Sequence, residues 1–218
     1  MEENNLNKIL KDAFPPIHEP PYDSPIEDIF AYHLVKYIRP DAKLDKQVTV
    51  ETPKGIFRLD FVVSVNGRQI GIECDGEKFH DPWRDEWRDA LILGAGFVND
   101  IVRISGKTIC GRVHICLLRL STLYPQMFSD RGKKNIETLA TNEAREIFEA
   151  HVQPPMDDED FDIEGKIEII KESVQIESRI KSKYFLEKLF TFAISSQAKT
   201  LDQIIEEYST NNLNEERW

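Results

Sequence analysis

Glu73 and Asp75 stand two residues apart at the end of the apolar run IGIECD, and Asp60 follows a second such run, GIFRLD. Burial makes an ionised carboxylate costly unless something pairs with it. Between the two runs lies Asn66-Gly67, the dipeptide of a two-residue hairpin turn. Antiparallel neighbours joined this tightly can bring Asp60 beside Glu73 on one face. Glu73 and Asp75 are alternate residues, so a regular strand points them the same way. Three carboxylates on one patch repel each other unless a cation or protons compensate. Hard oxygen donors of this kind suit Mg2+ or Mn2+, with water completing the shell. Such an ion polarises a phosphoryl oxygen and lowers the pKa of an attacking water, which is the chemistry of phosphodiester cleavage.

The elements that must position these residues follow from periodicity. DSPIEDIFAYHLVKYI carries Ile26, Ile29, Phe30, His33, Leu34 and Tyr37 at helical spacing. Asp23 or Ser24 can cap that helix, Pro25 suits its first position, and Pro40 ends it. KQVTVET, GIFRLDFVVSV and RQIGIECDG predict three strands, with Pro53 to Gly55 as the first turn. DPWRDEWRDALILGAG predicts a helix capped by Asp81, opened by Pro82 and closed at Gly94 or Gly96. FVNDIVRIS predicts a strand, and TICGRVHICLLRLSTLY a further helix. The class is therefore α/β: helix, three-stranded meander, helix, strand, helix. A polar helix over 133–152 comes next, then a linker near 153–164 with six acidic residues among the eight from Asp157 to Glu164. A long helical pattern from about Gly165 to Tyr208 closes the chain, with a break expected near Ser195-Ser196. The expected organisation is a helix and Pro-rich connector over 1–22, a catalytic-type domain over 23–132, and an acidic helical extension over 133–218.

The order of elements, together with SPIEDIF, FRLDFVV, IGIECDGEKFH, RDEWRD and GFVNDIVRIS, resembles the restriction-endonuclease-like superfamily, whose signature is written PD-(D/E)xK. The branch it looks most like is that of the very-short-patch-repair endonucleases and related bacterial proteins, over about residues 23–125. The resemblance implies a restriction-endonuclease-like core with a C-terminal helical extension, and Mg2+- or Mn2+-dependent cleavage of DNA. It implies that Asp60, Glu73 and the backbone carbonyl of Cys74 bind the ion. It places Glu27 reaching in from the first helix, His80 near the attacking water or phosphate, and Gln47 as a polar residue beside the site. Two positions depart from the pattern: Leu59 replaces the proline before the aspartate, and Asp75 stands where the lysine belongs. Losing that lysine removes a cation that orients water or steadies developing charge. Lys78, His80 or Arg84 can supply a replacement, and Asp75 can complete or tune the metal shell.

Each residue also has an ordinary structural reading. Asp60 can close a turn, Glu73 can pair with Arg58 or Arg103, and Asp75-Gly76 can be a turn. His80 can enter a helix, and Glu27 suits any first helical turn. In WRDEWRD, Trp83 and Trp87 fall on one helix face, as core residues do, with Arg and Asp residues salt-bridged around them. Used chemically, Arg84 and Arg88 become phosphate contacts beside the cleft, in company with Gln47 and Lys78. SGKT at 105–108 lacks the upstream glycine of a phosphate loop.

The net charge of −11 opposes tight non-specific DNA binding, but it is unevenly spread. Residues 1–132 hold 17 Lys/Arg against 20 Asp/Glu, and residues 133–218 hold 11 against 19. A local basic groove in the first part is compatible with this balance. No run is long enough to span a bilayer, and the opening residues lack the pattern of a secretory signal. Cys74, Cys110 and Cys116 are odd in number and lack metal-site spacing, which favours reduced thiols and a cytoplasmic location. DNA is the expected partner, with RNA as a second possibility. Ile167, Ile170, Val174, Phe185, Leu189 and Phe192 recur at helical spacing and suit either packing on the core or self-association and docking to a protein partner. The alternative to an enzyme is a catalytically inactive module that keeps the fold and binds nucleic acid or protein.

Overall fold

The computed structural model describes residues 16–76, 81–151, 163–174, 177–178 and 183–211. The chain forms an α/β structure around a mixed sheet. Helix α1 (Pro25–Leu34) is followed by β1 (Lys43–Thr52), β2 (Gly55–Val65) and β3 (Arg68–Asp75). Then come α2 (Pro82–Gly94), β4 (Asp100–Ser105), α3 (Gly106–Leu123) and α4 (Asp130–His151). The chain ends with α5 (Ile163–Glu172), a two-residue strand β5 (Glu177–Ser178), α6 (Lys183–Ser195) and α7 (Leu201–Asn211). The strands lie in the order β1-β2-β3-β4-β5. β1, β2 and β3 form an antiparallel meander, β4 joins β3 in parallel after the α2 crossover, and β5 pairs antiparallel at the edge.

Local chemistry accounts for these boundaries. Ser24 caps α1: its hydroxyl accepts from the Glu27 amide at 3.3 Å and donates to the Glu27 carboxylate at 2.8 Å. The pattern resembles a capping box, with the glutamate at the third helical position, but Glu27 reaches back to the Ser24 hydroxyl and the Asp23 amide instead of the Ser24 amide. α1 ends at Leu34, six residues before Pro40, and Ile38 makes an isolated bridge to Phe128 instead of continuing the helix. Asn66 and Gly67 both have positive φ, 51° and 73°, which suits the mirror-image turn of a two-residue hairpin. Asp81 caps α2 and Pro82 opens it.

Two apolar layers cover the sheet. Phe61, Val63, Ile70, Ile72 and Ile104 face Phe30 and Leu34 of α1, Ile109 to Leu120 of α3, and Ile136, Ala140 and Ala144 of α4. On the other face Leu59, Val62 and Ile101 pack with Ile92 of α2. The outer side of α2 presents Trp87, Ala90 and Leu91 to Leu186, Leu189, Ile204 and Tyr208 of α6 and α7. Gly94 permits this close approach, because a Cβ there would collide with the ring of Phe190. Cys74 and Cys116 are buried, Cys110 is exposed, and all three are free thiols.

Three expectations change. The expected boundary at 132/133 falls inside α4, which starts at Asp130 and buries Ile136, Ala140 and Ala144 in the main core. The long helical pattern expected from about Gly165 has its expected break at Ser195 and a further division before it, giving α5, β5, α6 and α7. The apolar residues offered for association serve the chain's own packing: Ile167 and Val174 join the main core, and Leu189, Phe185 and Phe192 join the cluster on α2. Residues 153–162 of the expected linker lie outside the described residues. Among the described residues no helix is long and apolar enough to cross a membrane.

Candidate metal centre at the β2–β3 strand ends

The site begins with a fault in the sheet. Lys46 pairs with Phe61 and Val48 with Leu59, while Gln47 between them has φ 51°. In β1, Leu44 packs with the α1 layer, but Val48 and Val50 pack with the α2 layer. In β2, Leu59 belongs to the α2 layer and Phe61 to the α1 layer. Regular alternation would keep residues of one parity on one face. Both strands therefore change phase at the same register position, across which Gln47 and Asp60 face each other. Such paired irregularities re-aim side chains next to functional sites.

The re-aimed Asp60 reaches across to β3. Its Oδ2 accepts from the Cys74 amide at 2.8 Å. The β2–β3 ladder runs from Val65 opposite Arg68 to Phe61 opposite Ile72, so a carboxylate takes the amide next in line. In extended chain a residue's N–H and C=O point to the same side, so the Cys74 carbonyl lies on the β2 side of β3. The strands part here, while β3 stays paired to β4 as far as Asp75 and Ser105.

Around Asp60 the structure gathers Glu27, Gln47, Glu73 and Arg88. Glu27, 5% exposed, accepts from the Gln47 side-chain amide at 2.6 Å through Oε2. Gln47 Oε1 is buried and without a hydrogen-bond partner among the described residues. Turning the amide over would set that oxygen against the Glu27 carboxylate, so the orphaned acceptor is a consequence of the cluster's charge. Glu73, 4% exposed, accepts from Arg88 Nη2 at 2.6 Å. The same Nη2 donates to the Arg58 carbonyl on β2.

Electrostatics link these groups. Burial raises the Asp60 carboxyl to about 6, with the charges of Glu27 and Asp75 adding to the rise and the Cys74 amide and Arg88 opposing it. Burial raises Glu73 further, to about 8, with Asp60 adding to it while Arg88 and Arg103 oppose. The charge of Asp60 thus reaches Glu73.

A second polar cluster lies alongside. Arg103 of β4, 5% exposed, makes a two-pronged bond to the fully buried Asp89 of α2 at 2.9 and 3.0 Å. Its Nη1 donates to Asp75 at 3.0 Å, and Asp85 stands 3.5 Å from Nη2. Burial works against the Arg103 charge, but the bond to Asp89 and the charges of Asp89 and Asp75 outweigh it and keep the guanidinium protonated. Asp75, expected to complete or tune the shell, is held by Arg103. The partner of Glu73 is Arg88 rather than Arg58 or Arg103. The role of Arg103 as a hub was half visible in the sequence, where Asp85 and Asp89 fall four apart with a strand arginine available.

Of the remaining candidates, Arg84 lies on the outer side of α2 and pairs with Asp202 of α7. Lys78 and His80 lie outside the described residues. Among the described residues no three His, Cys, Asp or Glu side chains form a ready metal-binding group. Guanidinium groups from Arg88 and Arg103 stand among the carboxylates. The donor set nonetheless fits a hard divalent ion. Two carboxyls raised by burial and an orphaned amide oxygen are oxygen donors of the kind such an ion takes. An open groove lined by Tyr184, Glu187, Thr191, Phe192 and Tyr208 lies elsewhere.

Comparison with protein-family models, with curated proteins and with solved structures finds no match to this chain.

Proposed function

We propose that the chain is a divalent-metal-dependent nuclease that hydrolyses nucleic-acid phosphodiesters, with DNA the first substrate to test, in repair or in defence against foreign DNA. The finer reading of the fold as restriction-endonuclease-like belongs to the same proposal. It is supported by the element order and by the position of the acids at the parting strand ends. The observation that carries the proposal is the gathering of Glu27, Gln47, Asp60 and Glu73, with Asp60 and Glu73 both raised by burial, at the phase change in the sheet.

Asp60, Glu73 and the Cys74 carbonyl would hold Mg2+ or Mn2+. The bound ion would supply Lewis acidity and a water of lowered pKa. The chain's own residues do the rest. The Cys74 amide fixes the orientation of Asp60. Glu27 is locked by the Ser24 cap and in turn positions Gln47. The Arg103 cluster anchors α2 against β3 and β4, which sets the geometry of the acidic strand end. His80 is the proposed group for proton transfer.

The test is cleavage of single- and double-stranded DNA with Mg2+ or Mn2+ by wild type, Asp60→Ala and Glu73→Ala. Loss of cutting in both variants, with folding retained, supports the proposal; equal cutting by all three proteins removes these residues from the mechanism. One observation favours the inactive binding module instead: Asp75 occupies the lysine position and is engaged by Arg103. That reading expects no Mn2+-dependent rise in melting temperature.

A further inference from the structure

The resemblance expects a cation two residues after Glu73, and the chain has Asp75 there. The structure offers three arginines on or beside α2 to replace it, and their surroundings separate them. Arg103 has Nε, Nη1 and Nη2 all bonded to carboxylates and a side chain 5% exposed. It is committed to the scaffold. Arg84 is half exposed but points outward, where Asp202 of α7 takes it. Arg88 differs from both. Its side chain is 21% exposed. Nη2 alone carries its described hydrogen bonds, one to Glu73 and one to the Arg58 carbonyl. Among the described residues Nε and Nη1 have no partner. A guanidinium offers five donors in a rigid fork, so three N–H groups remain beside the acidic patch.

We propose that Arg88 is the phosphate contact of this site: tethered through Nη2 to Glu73 and the Arg58 carbonyl, it presents Nη1 and the guanidinium charge to a backbone phosphate of the nucleic acid. This rests on the proposed function and names the residue that does the work of the missing lysine. The tether bridges β2 and β3, so the guanidinium is held at fixed distance from Asp60 and Glu73. With Nη2 taken by the tether, Nη1 donates to a single phosphate oxygen, and the charge meets the negative charge that develops as the bond to phosphorus breaks. A lysine carrying the same charge has no second nitrogen with which to reach the phosphate while tethered.

Two measurements keep the contact separate from the cleavage reading. Binding of a fluorescent duplex oligonucleotide in EDTA, followed over a range of salt, reads the phosphate contact without metal. Arg88→Ala should weaken binding at least several-fold and lower the salt slope by about 0.9, one phosphate's share. Arg88→Lys should restore the slope but not the full affinity. Arg84→Ala should match wild type. Calorimetric Mn2+ titration and cleavage kinetics then follow on the same variants. Arg88→Ala should still bind Mn2+, while kcat falls on the order of 100-fold with KM less affected. An unchanged salt slope and affinity in Arg88→Ala overturns the proposal, as does wild type that binds no oligonucleotide. Wild type that binds DNA through Arg88 but neither takes up Mn2+ nor cuts keeps the contact and overturns the nuclease reading alone.

Discussion

The two faces of α2 are built from one repeated tetrad, WRDEWRD, and behave as different materials. Outward, Trp83 and Trp87 meet edge to face at 5.8 Å and join Phe185, Phe192 and Tyr208 of the C-terminal helices. Inward, Asp85, Arg88 and Asp89 turn to the sheet, where Arg88 and Arg103 together answer Glu73, Asp75, Asp85 and Asp89. The outer face gains stability from apolar area and ring geometry. The inner face sets carboxylates where their charge is costly and leaves Asp60 and Glu73 only partly compensated. Apolar packing resides on one side of the helix and buried charge on the other.

Substitutions on the two faces should therefore part company. The largest effect is expected from Trp87→Ala. The side chain is fully buried, and truncating such a residue costs about 3–5 kcal/mol, roughly 10 °C or more in melting temperature for a chain of this size. The folded fraction should keep its Mn2+ affinity; parallel loss of both would show that the faces are not separable. Asp89→Ala comes next, at about 3 kcal/mol, because it strips the two-pronged partner from a buried guanidinium. Urea unfolding measures it, and a loss under 1 kcal/mol would mean that Asp75 and Asp85 suffice for Arg103.

An effect opposite in sign is expected from the acidic pair. Asp60 titrates near 6 and Glu73 near 8 in the folded chain, against about 4 when unfolded. The folded chain keeps protons that the unfolded chain has lost. Their removal opposes folding, so stability falls as pH rises from about 4 to about 8. Glu73→Gln should flatten the upper part of that fall and Asp60→Asn the lower part, in melting curves recorded across the range. Mn2+ competes with the same protons, so the rise in wild-type melting temperature that it produces should grow between pH 6 and 8. A melting temperature that climbs with pH over that interval without Mn2+ contradicts the assignment. The least effect belongs to Arg84→Ala, an exposed pair with Asp202, expected to change stability by less than about 1 kcal/mol.

Much of this arrangement was legible in the residues. Ser24, Pro25 and Glu27 announce the α1 cap, Asn66-Gly67 the hairpin, and Asp81-Pro82 the start of α2, because each depends on local backbone chemistry. The nearness of Asp60 to Glu73 followed from hairpin register. What the sequence concealed depends on contacts between distant segments. The phase change at Gln47 and Asp60 breaks the alternation on which strand reading rests. Arg88 rather than Arg58 reaches Glu73 because α2 crosses over the strand ends, and no spacing rule contains that crossing. α4 looked like an acidic extension because only Ile136, Ala140, Ala144 and Phe148 carry its buried face, and two of those four are alanines. The division of the C-terminal pattern near β5 rests on tertiary pairing with Val102 and Arg103.

The most direct measurement is a crystal soaked in Mn2+, with data collected at the manganese absorption edge. The account predicts an anomalous peak touching carboxylate oxygens of both Asp60 and Glu73, with the Cys74 carbonyl on its remaining side. Crystals that show no peak there, with Glu73 still bonded to Arg88 at saturating Mn2+, would contradict it.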